Sequence, residues 1–242
     1  LKREFVVNKF NKGWKHALLS GEEIYWIGII RGEPSLRVVN PLRFTYQKST
    51  EIDYIEDSEW CIAEYRMTPS EIIKNFGDSL SNADIDKIYK YDGDATDGIF
   101  ENLEIQEDEQ NTLRVIHCQW KSLRKIGFLT YIDMETGVEG MMVVDENYKL
   151  NVDMGDISIE WEYLPEVHEG WKISGDIYPI NYMRPVIGQY RDLDNMHICK
   201  LSYHGAAYDN MNSQATSAMD RIKGYQYFYD VICYRVELLM AS

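Results

Sequence analysis

Several residue groups in this sequence have the chemical types that catalysis or metal binding needs. His197-Ile198-Cys199, with His204 close behind, supplies two kinds of zinc ligand. A zinc site wants a second pair at matched spacing, and the sequence has none. Asp192, Asp194 and Asp209 have the oxygens a cation takes, yet the stretch 192–212 is rich in Asp and Asn, residues that also cap turns. Ser202 and His204 are too close along the chain to act as nucleophile and base, and no GxSxG elbow exists. Between residues 92 and 109 stand eight Asp and Glu with no Lys or Arg. Acid–base work needs carboxylates in fixed geometry, and this stretch is too poor in apolar residues to read as anything but a loop. Phosphate-binding glycine loops of the GxxxxGK[ST] or GxGxxG kind are missing. The search for chemistry implies no metal and no cofactor, and points to a structural or binding protein.

One cluster stands against the general charge. The formal net charge is −15, yet HCQWKSLRKIGFLTYID, residues 117–133, carries Lys121, Arg124 and Lys125 and no acid before Asp133. Three readings are open. The lysines can be a solvated strand edge that discourages aggregation. They can pair with an acidic surface on a neighbouring subunit, for which 92–109 is the obvious candidate. Or they can touch a phosphate backbone, which the overall acidity disfavours.

The elements that must position these groups follow from pattern. The chain of 242 residues is long enough for one large domain or two smaller ones with real cores. Eighteen Tyr and six Trp suit either an aromatic core or extensive interface. No apolar run approaches the roughly 18 residues of a membrane span. Cys61, Cys118, Cys199 and Cys233 lie far apart, which suits reduced thiols better than a disulfide framework. The sequence begins at Leu1 and ends inside a helix-like pattern, so it reads as a fragment.

Phe10, Trp14, Ala17 and Leu18 recur at helical spacing, and Ser20-Gly21 ends that helix. Strands are expected over 22–31, 35–46 and 60–66. Thr68-Pro69-Ser70-Glu71 is a capping box opening a helix with Ile72, Ile73, Phe76 and Leu80 on one side. Gly77-Asp78 interrupts it, and Ser81 caps a second helix carrying Ile85, Ile88 and Tyr89. From 113 to 180 the pattern is mostly β, with turns at Glu135-Thr136-Gly137 and at Val167-His168-Glu169-Gly170, the latter closing a long hairpin. Ile157, Ile159 and Trp161 alternate with Ser158, Glu160 and Glu162, as in a sheet with one wet face. Ser217 caps a final helix in which Ile222, Tyr225, Tyr229, Ile232, Val236 and Leu239 form an a/d seam. That seam suits an ordinary core-facing helix or a helix packed on copies of itself. The fold class is α+β.

Taken together and in order, WCIAEYRMTPSEIIKNFGDSLSNADI, HCQWKSLRKIGFLTYID, GWKISGDIYPI, IGQYRDLDN with LSYHGAAYDN, and RIKGYQYFYDVICYRVELLMA resemble the portal (head-to-tail connector) proteins of tailed bacteriophages, most closely those of crAss-like gut phages. The resemblance implies a non-enzymatic ring, usually of twelve copies, at one capsid vertex, through which double-stranded DNA enters during packaging and leaves at infection. Its implied partners are further copies of itself, that DNA, and capsid, terminase and tail adaptor proteins, with no membrane. Its implied location is the virion, assembled in the host bacterial cytoplasm. Portal subunits consist of wing, stem, clip and crown. On this sequence the resemblance places a wing-like α/β part at 1–66, a helical pair and acidic loop at 67–109, a clip-like β-rich domain at 110–190, and a loop with a stem-like long helix at 191–242. In a ring, the basic strand of one clip would lie beside acidic surface of the next, and acid excess elsewhere would keep phosphates from sticking. The rival readings are an adaptor or other virion protein, and a metal-dependent hydrolase built on 192–209.

Overall fold

A computed structural model describes residues 6–30, 32–90, 112–134, 136–175, 177–179, 183–189, 191, 194–208 and 215–241. The acidic stretch 92–109, and Asp192 and Asp209, lie outside the described residues. The order is helix α1 (Val6–Ser20), strands β1 (Glu22–Ile30), β2 (Glu33–Val38), β3 (Phe44–Tyr46) and β4 (Trp60–Met67), helices α2 (Pro69–Phe76) and α3 (Asn82–Lys90), strands β5 (Leu113–Ile132), β6 (Glu139–Asp145), β7 (Asp156–Ile173), β8 (Arg184–Pro185) and β9 (Tyr203–Ala207), and helix α4 (Ala218–Ala241). The fold is α+β, with antiparallel sheets and a long C-terminal helix.

Two sheets carry the architecture. The smaller runs β2-β1-β9 and the larger β3-β4-β5-β7-β8, with β6 also paired to β5. The larger sheet therefore takes β3 and β4 from segment 1–66 and β5 and β7 from segment 110–190. The main core lies between the sheets, where Ile24 and Tyr203 of one meet Phe44, Cys61, Ala63 and Val167 of the other, closed by Ile55 and Leu201. A second cluster packs Ile72, Phe76 and Ile88 of α2 and α3 on Val115 and Ile173.

Local signals explain most boundaries. Gly21, at φ +77°, lets the chain turn out of α1 at Ser20. Thr68 Oγ1 accepts from the Glu71 N–H at 3.3 Å, and Glu71 Oε2 accepts from the Thr68 N–H at 2.9 Å, so the capping box is complete. Ser81 and Ser217 accept from the N–H groups of Asp84 and Asp220 at the starts of α3 and α4. The expected strand 35–46 is broken in the middle. Pro41 has no N–H, and Asn40 Oδ1 takes the Leu42 N–H at 3.1 Å, which winds 41–43 into a 3-10 turn.

The largest difference lies at Val167-His168-Glu169-Gly170, which makes no turn. β7 continues straight through it, paired with β5 from Asp156 to Ile173. Gly170 has an ordinary strand conformation, and a Cβ there would stand 3.3 Å from the Trp120 ring. It makes room for an indole, not for a bend. LRVIHCQW and KIGFLTYID likewise fuse into a single strand of 20 residues, about 65 Å long at the usual rise. The far half of the β5–β7 ribbon leaves the main core. There Ile157, Trp161 and Tyr163 are exposed, so the predicted apolar face is only partly covered by the described residues.

Candidate functional site

The basic cluster sits in a notch. On one side β5 pairs without a gap to β7, with Lys121 opposite Val167 and Lys125 opposite Tyr163. On the other side β4 pairs as far as Trp120 and β6 begins at Ile126. Lys121 N–H reaches the Glu59 carbonyl at 2.8 Å. Residues 122–125 have no strand partner on that side among the described residues. Period-2 geometry puts Lys121 and Lys125 on one face and Arg124 on the other.

Each cation already has company within the chain. Arg124 Nη2 donates to Asp145 Oδ1 at 2.7 Å, and its other terminal nitrogen lies 4.0 Å from Glu166 Oε1. Glu166 is buried, and Arg191 at 3.6 Å and His168 at 3.6 Å also face it. Lys121 Nζ donates to the Asp57 carbonyl at 2.7 Å. Lys125 Nζ stands 4.6 Å over the Trp161 ring. The guanidinium of Arg124 is thus neutralised locally, while the lysines rest on a carbonyl and a ring face, with no ion pair among the described residues.

The residues of the a/d seam occupy α4 and are all solvent-exposed, from Val236 at 49% to Tyr225 at 78%. No residue of α4 is buried. Exposure is not confined to the seam, since Tyr227 at 72% and Phe228 at 70% point elsewhere. The helix starts beside the end of α1. The Tyr208 N–H donates to the Gly21 carbonyl at 2.7 Å, and the Thr216 N–H to the Tyr208 carbonyl at 3.2 Å. On α1 itself Phe10 and Trp14 are exposed, and only Gly13 and Ala17 are buried.

The candidate metal residues do not converge. His197 Nε2 faces Glu162 at 3.2 Å, His204 Nδ1 faces Glu56 at 3.6 Å, and the buried Cys199 donates to Gln189 Oε1 at 3.4 Å. Among the described residues no group of three His, Cys, Asp or Glu side chains could hold a metal ion. No described helix is long and apolar enough to cross a membrane.

Sequence reading missed a polar chain inside the core. Tyr65 Oη and Tyr203 Oη are 2.9 Å apart, and Tyr203 Oη is 2.6 Å from His117 Nδ1. His117 Nε2 lies 3.4 Å from Glu169 Oε2, and Arg184 Nε lies 3.3 Å from Glu169 Oε1. The His117 ring stacks on Trp171 with centroids 4.0 Å apart and planes 13° apart. Burial holds the His117 imidazole below its ordinary pKa against the pull of Glu169, and burial pushes the Tyr203 phenol well up. Its signal was present: His117 and Gln119 occupy inward positions in the alternation of Leu113 and Val115, where apolar residues belong.

No protein-family profile matches the chain. A curated portal protein from Bacteroides phage crAss001 is 31% identical over 275 aligned residues, covering 96% of this chain and 34% of that protein. The chain therefore spans about a third of the length of the curated relative it matches. The resemblance to crAss-like phage portal proteins extends along nearly the whole chain.

Proposed function

We propose, from that similarity, that the chain forms part of a phage portal subunit, a structural ring component at the capsid vertex through which DNA is packaged and ejected. The observation that carries the reading is α4. A helix with apolar residues on every side belongs inside a protein or an assembly, and here not one of its residues is buried. Copies related by a rotation axis would cover it repeatedly, as a stem of helices does. In this reading α4 is stem-like. The clip-like unit is the sheet of 110–190 completed by β3 and β4.

The notch at 122–125 supports a contact with a neighbouring polypeptide. An open strand edge offers N–H and C=O groups that another chain can pair, and Lys121 and Lys125 would attract acidic residues on it. A DNA duplex would use the ammonium groups and leave the strand edge unmatched. The proposed partners are further copies, capsid, terminase and adaptor proteins, with DNA passing rather than bound. The protein catalyses no reaction in this scheme and resides in the virion.

Electron microscopy of the complete protein tests the proposal. Rings with a central hole support it, and their rotational symmetry gives the copy number, for which twelve is expected. Monomers that persist at high concentration, with and without the capsid's own proteins, overturn it.

A further inference from the structure

The notch in β5 specifies the length and the side-chain pattern of a strand that could fill it. β4 pairs as far as Trp120 and β6 begins opposite Ile126, so residues 122–125 form the open edge among the described residues. At the usual rise that edge is about 13 Å long and takes a segment of roughly four or five residues. Side chains on one face of paired strands stand opposite one another. On one face of the notch the order is Lys121, Leu123, Lys125, and Leu123 is 66% exposed. Lys121 Nζ meets the Asp57 carbonyl and Lys125 Nζ the Trp161 ring, and neither lysine has an ion pair among the described residues. The complementary segment therefore has an acid, an apolar residue and an acid at alternate positions. That pattern is symmetric, so it fits in either strand direction. A nucleic acid would match the lysines and leave Leu123 and the strand edge bare.

The chain carries this pattern three times, at 53–57, 97–101 and 162–166. In the first the central residue is Ile55, 1% exposed, and in the third it is Leu164, 4% exposed. Both are buried within the subunit and cannot be offered to another. The remaining one is Asp97-Gly98-Ile99-Phe100-Glu101, which lies outside the described residues, in the stretch 92–109 with its eight acids and no Lys or Arg.

Reach separates a chain's own segment from a neighbour's. α3 ends at Lys90, and its Ile88 packs in one cluster with Leu113 and Val115 at the start of β5. Leu123 lies eight residues beyond Val115 on that strand, about 26 Å away. Ile99 follows Lys90 by nine residues, which span at most ~32 Å. A chain could fill its own notch only by running almost straight, whereas a second copy beside it is under no such constraint.

We propose that the notch of one copy takes residues 97–101 of a second copy, with Ile99 against Leu123 and with Asp97 and Glu101 at the two lysines. This assignment names the partner segment for the ring reading and rests on that reading.

Charge exchange in the complete protein tests it. Lys121→Glu with Lys125→Glu, and separately Asp97→Lys with Glu101→Lys, should each weaken assembly about tenfold or more in sedimentation velocity. The quadruple variant, in which the opposite signs have traded places, should recover most of that loss. Position is tested by Leu123→Cys on one copy and Ile99→Cys on another, mixed before assembly and oxidised. A covalent dimer absent from either variant alone is expected. Should a charge variant not fold, the cross-link alone decides. The assignment is overturned if the quadruple variant assembles no better than the double ones, if Asp97→Lys with Glu101→Lys assembles normally, or if the mixture forms rings without the link. Failure of the unmodified complete protein to form rings would overturn the ring reading first, and this assignment with it.

Discussion

Ile232→Glu separates the two ways an apolar helix can be satisfied. Ile232 is 59% exposed on α4 and near the middle of the seam. In the isolated chain the carboxylate would remain in water, and Glu is at least as good a helix former as Ile. The chain's own stability should therefore change by no more than about 0.5 kcal/mol. In an assembly that covers α4, the same carboxylate enters an apolar seam with no partner, at a cost of roughly 3–5 kcal/mol per interface. Each 1.4 kcal/mol is tenfold, so association weakens about a hundredfold to several thousandfold. Sedimentation velocity across a concentration series reads the association, and urea unfolding of the dissociated chain reads the stability. Ile232→Leu, which keeps the apolar surface, should assemble normally. Undiminished assembly of Ile232→Glu would refute the claim that α4 is covered by neighbours. A loss of more than about 2 kcal/mol in the dissociated chain would show instead that the helix packs within the subunit.

Tyr203→Phe removes the hydroxyl that joins His117 to Tyr65 and leaves two buried polar groups without it. It should cost about 1–3 kcal/mol, read as a lower melting temperature at roughly 2–4 °C per kcal/mol for a chain of this size. Tyr65→Phe should cost less, because Tyr203 keeps its bond to His117. Burial depresses the His117 pKa in the folded chain, so between that value and the ordinary one near 6.5 the unfolded chain binds more protons. Stability from this group is present above about pH 6.5 and is lost as pH falls below it, by at most about 1.4 kcal/mol per pH unit. A stability–pH profile that is identical for the wild type and His117→Gln would contradict this. Gly205→Ala puts a Cβ into the Glu23 carbonyl across the β1–β9 pairing and should lower stability by about 3 kcal/mol or more, measured by urea midpoint. Lys121→Glu with Lys125→Glu should impair assembly of the complete protein and spare its fold, and normal ring yield would remove the notch from the interface.

Local structure was legible where a residue's own chemistry sets the backbone. The capping box at Thr68 and Glu71, the serine caps of α3 and α4, and the stop at Gly21 each depend on hydrogen bonds within a few residues. What failed depended on residues far away. Gly170 looked like a turn because glycine permits one, but the Trp120 indole across the strand pair is what requires it. The face of Ile157 and Trp161 looked buried because alternation implies a cover, and both residues remain exposed among the described ones. The cleft lined by Trp26, Lys74 and Trp171 was illegible for the same reason: they come from three separate elements, and only the pairing of two sheets and the seating of α2 brings them together.

The basic strand that stood out against an acidic chain has two halves with different physics. Arg124 is half exposed and paired within the chain, with Asp145 at 2.7 Å and Glu166 at 4.0 Å, and reversing its charge would set three carboxylates against one another. Any assembly defect from such a change would mix the loss of that internal pairing with the loss of a contact. Lys121 and Lys125 are different, since a carbonyl and an indole face orient their ammonium groups and no described carboxylate pairs with them. They flank a piece of strand with one edge unpaired among the described residues, and the side chain between them on that face, Leu123, is 66% exposed. An apolar residue between two lysines, on an open strand edge, is costly on a surface that stays in water and useful on one that meets another chain. The same logic applies to α4. In both places the described residues leave unsatisfied what a neighbour of the right sign and shape would satisfy, and the two features lie on separate parts of the fold.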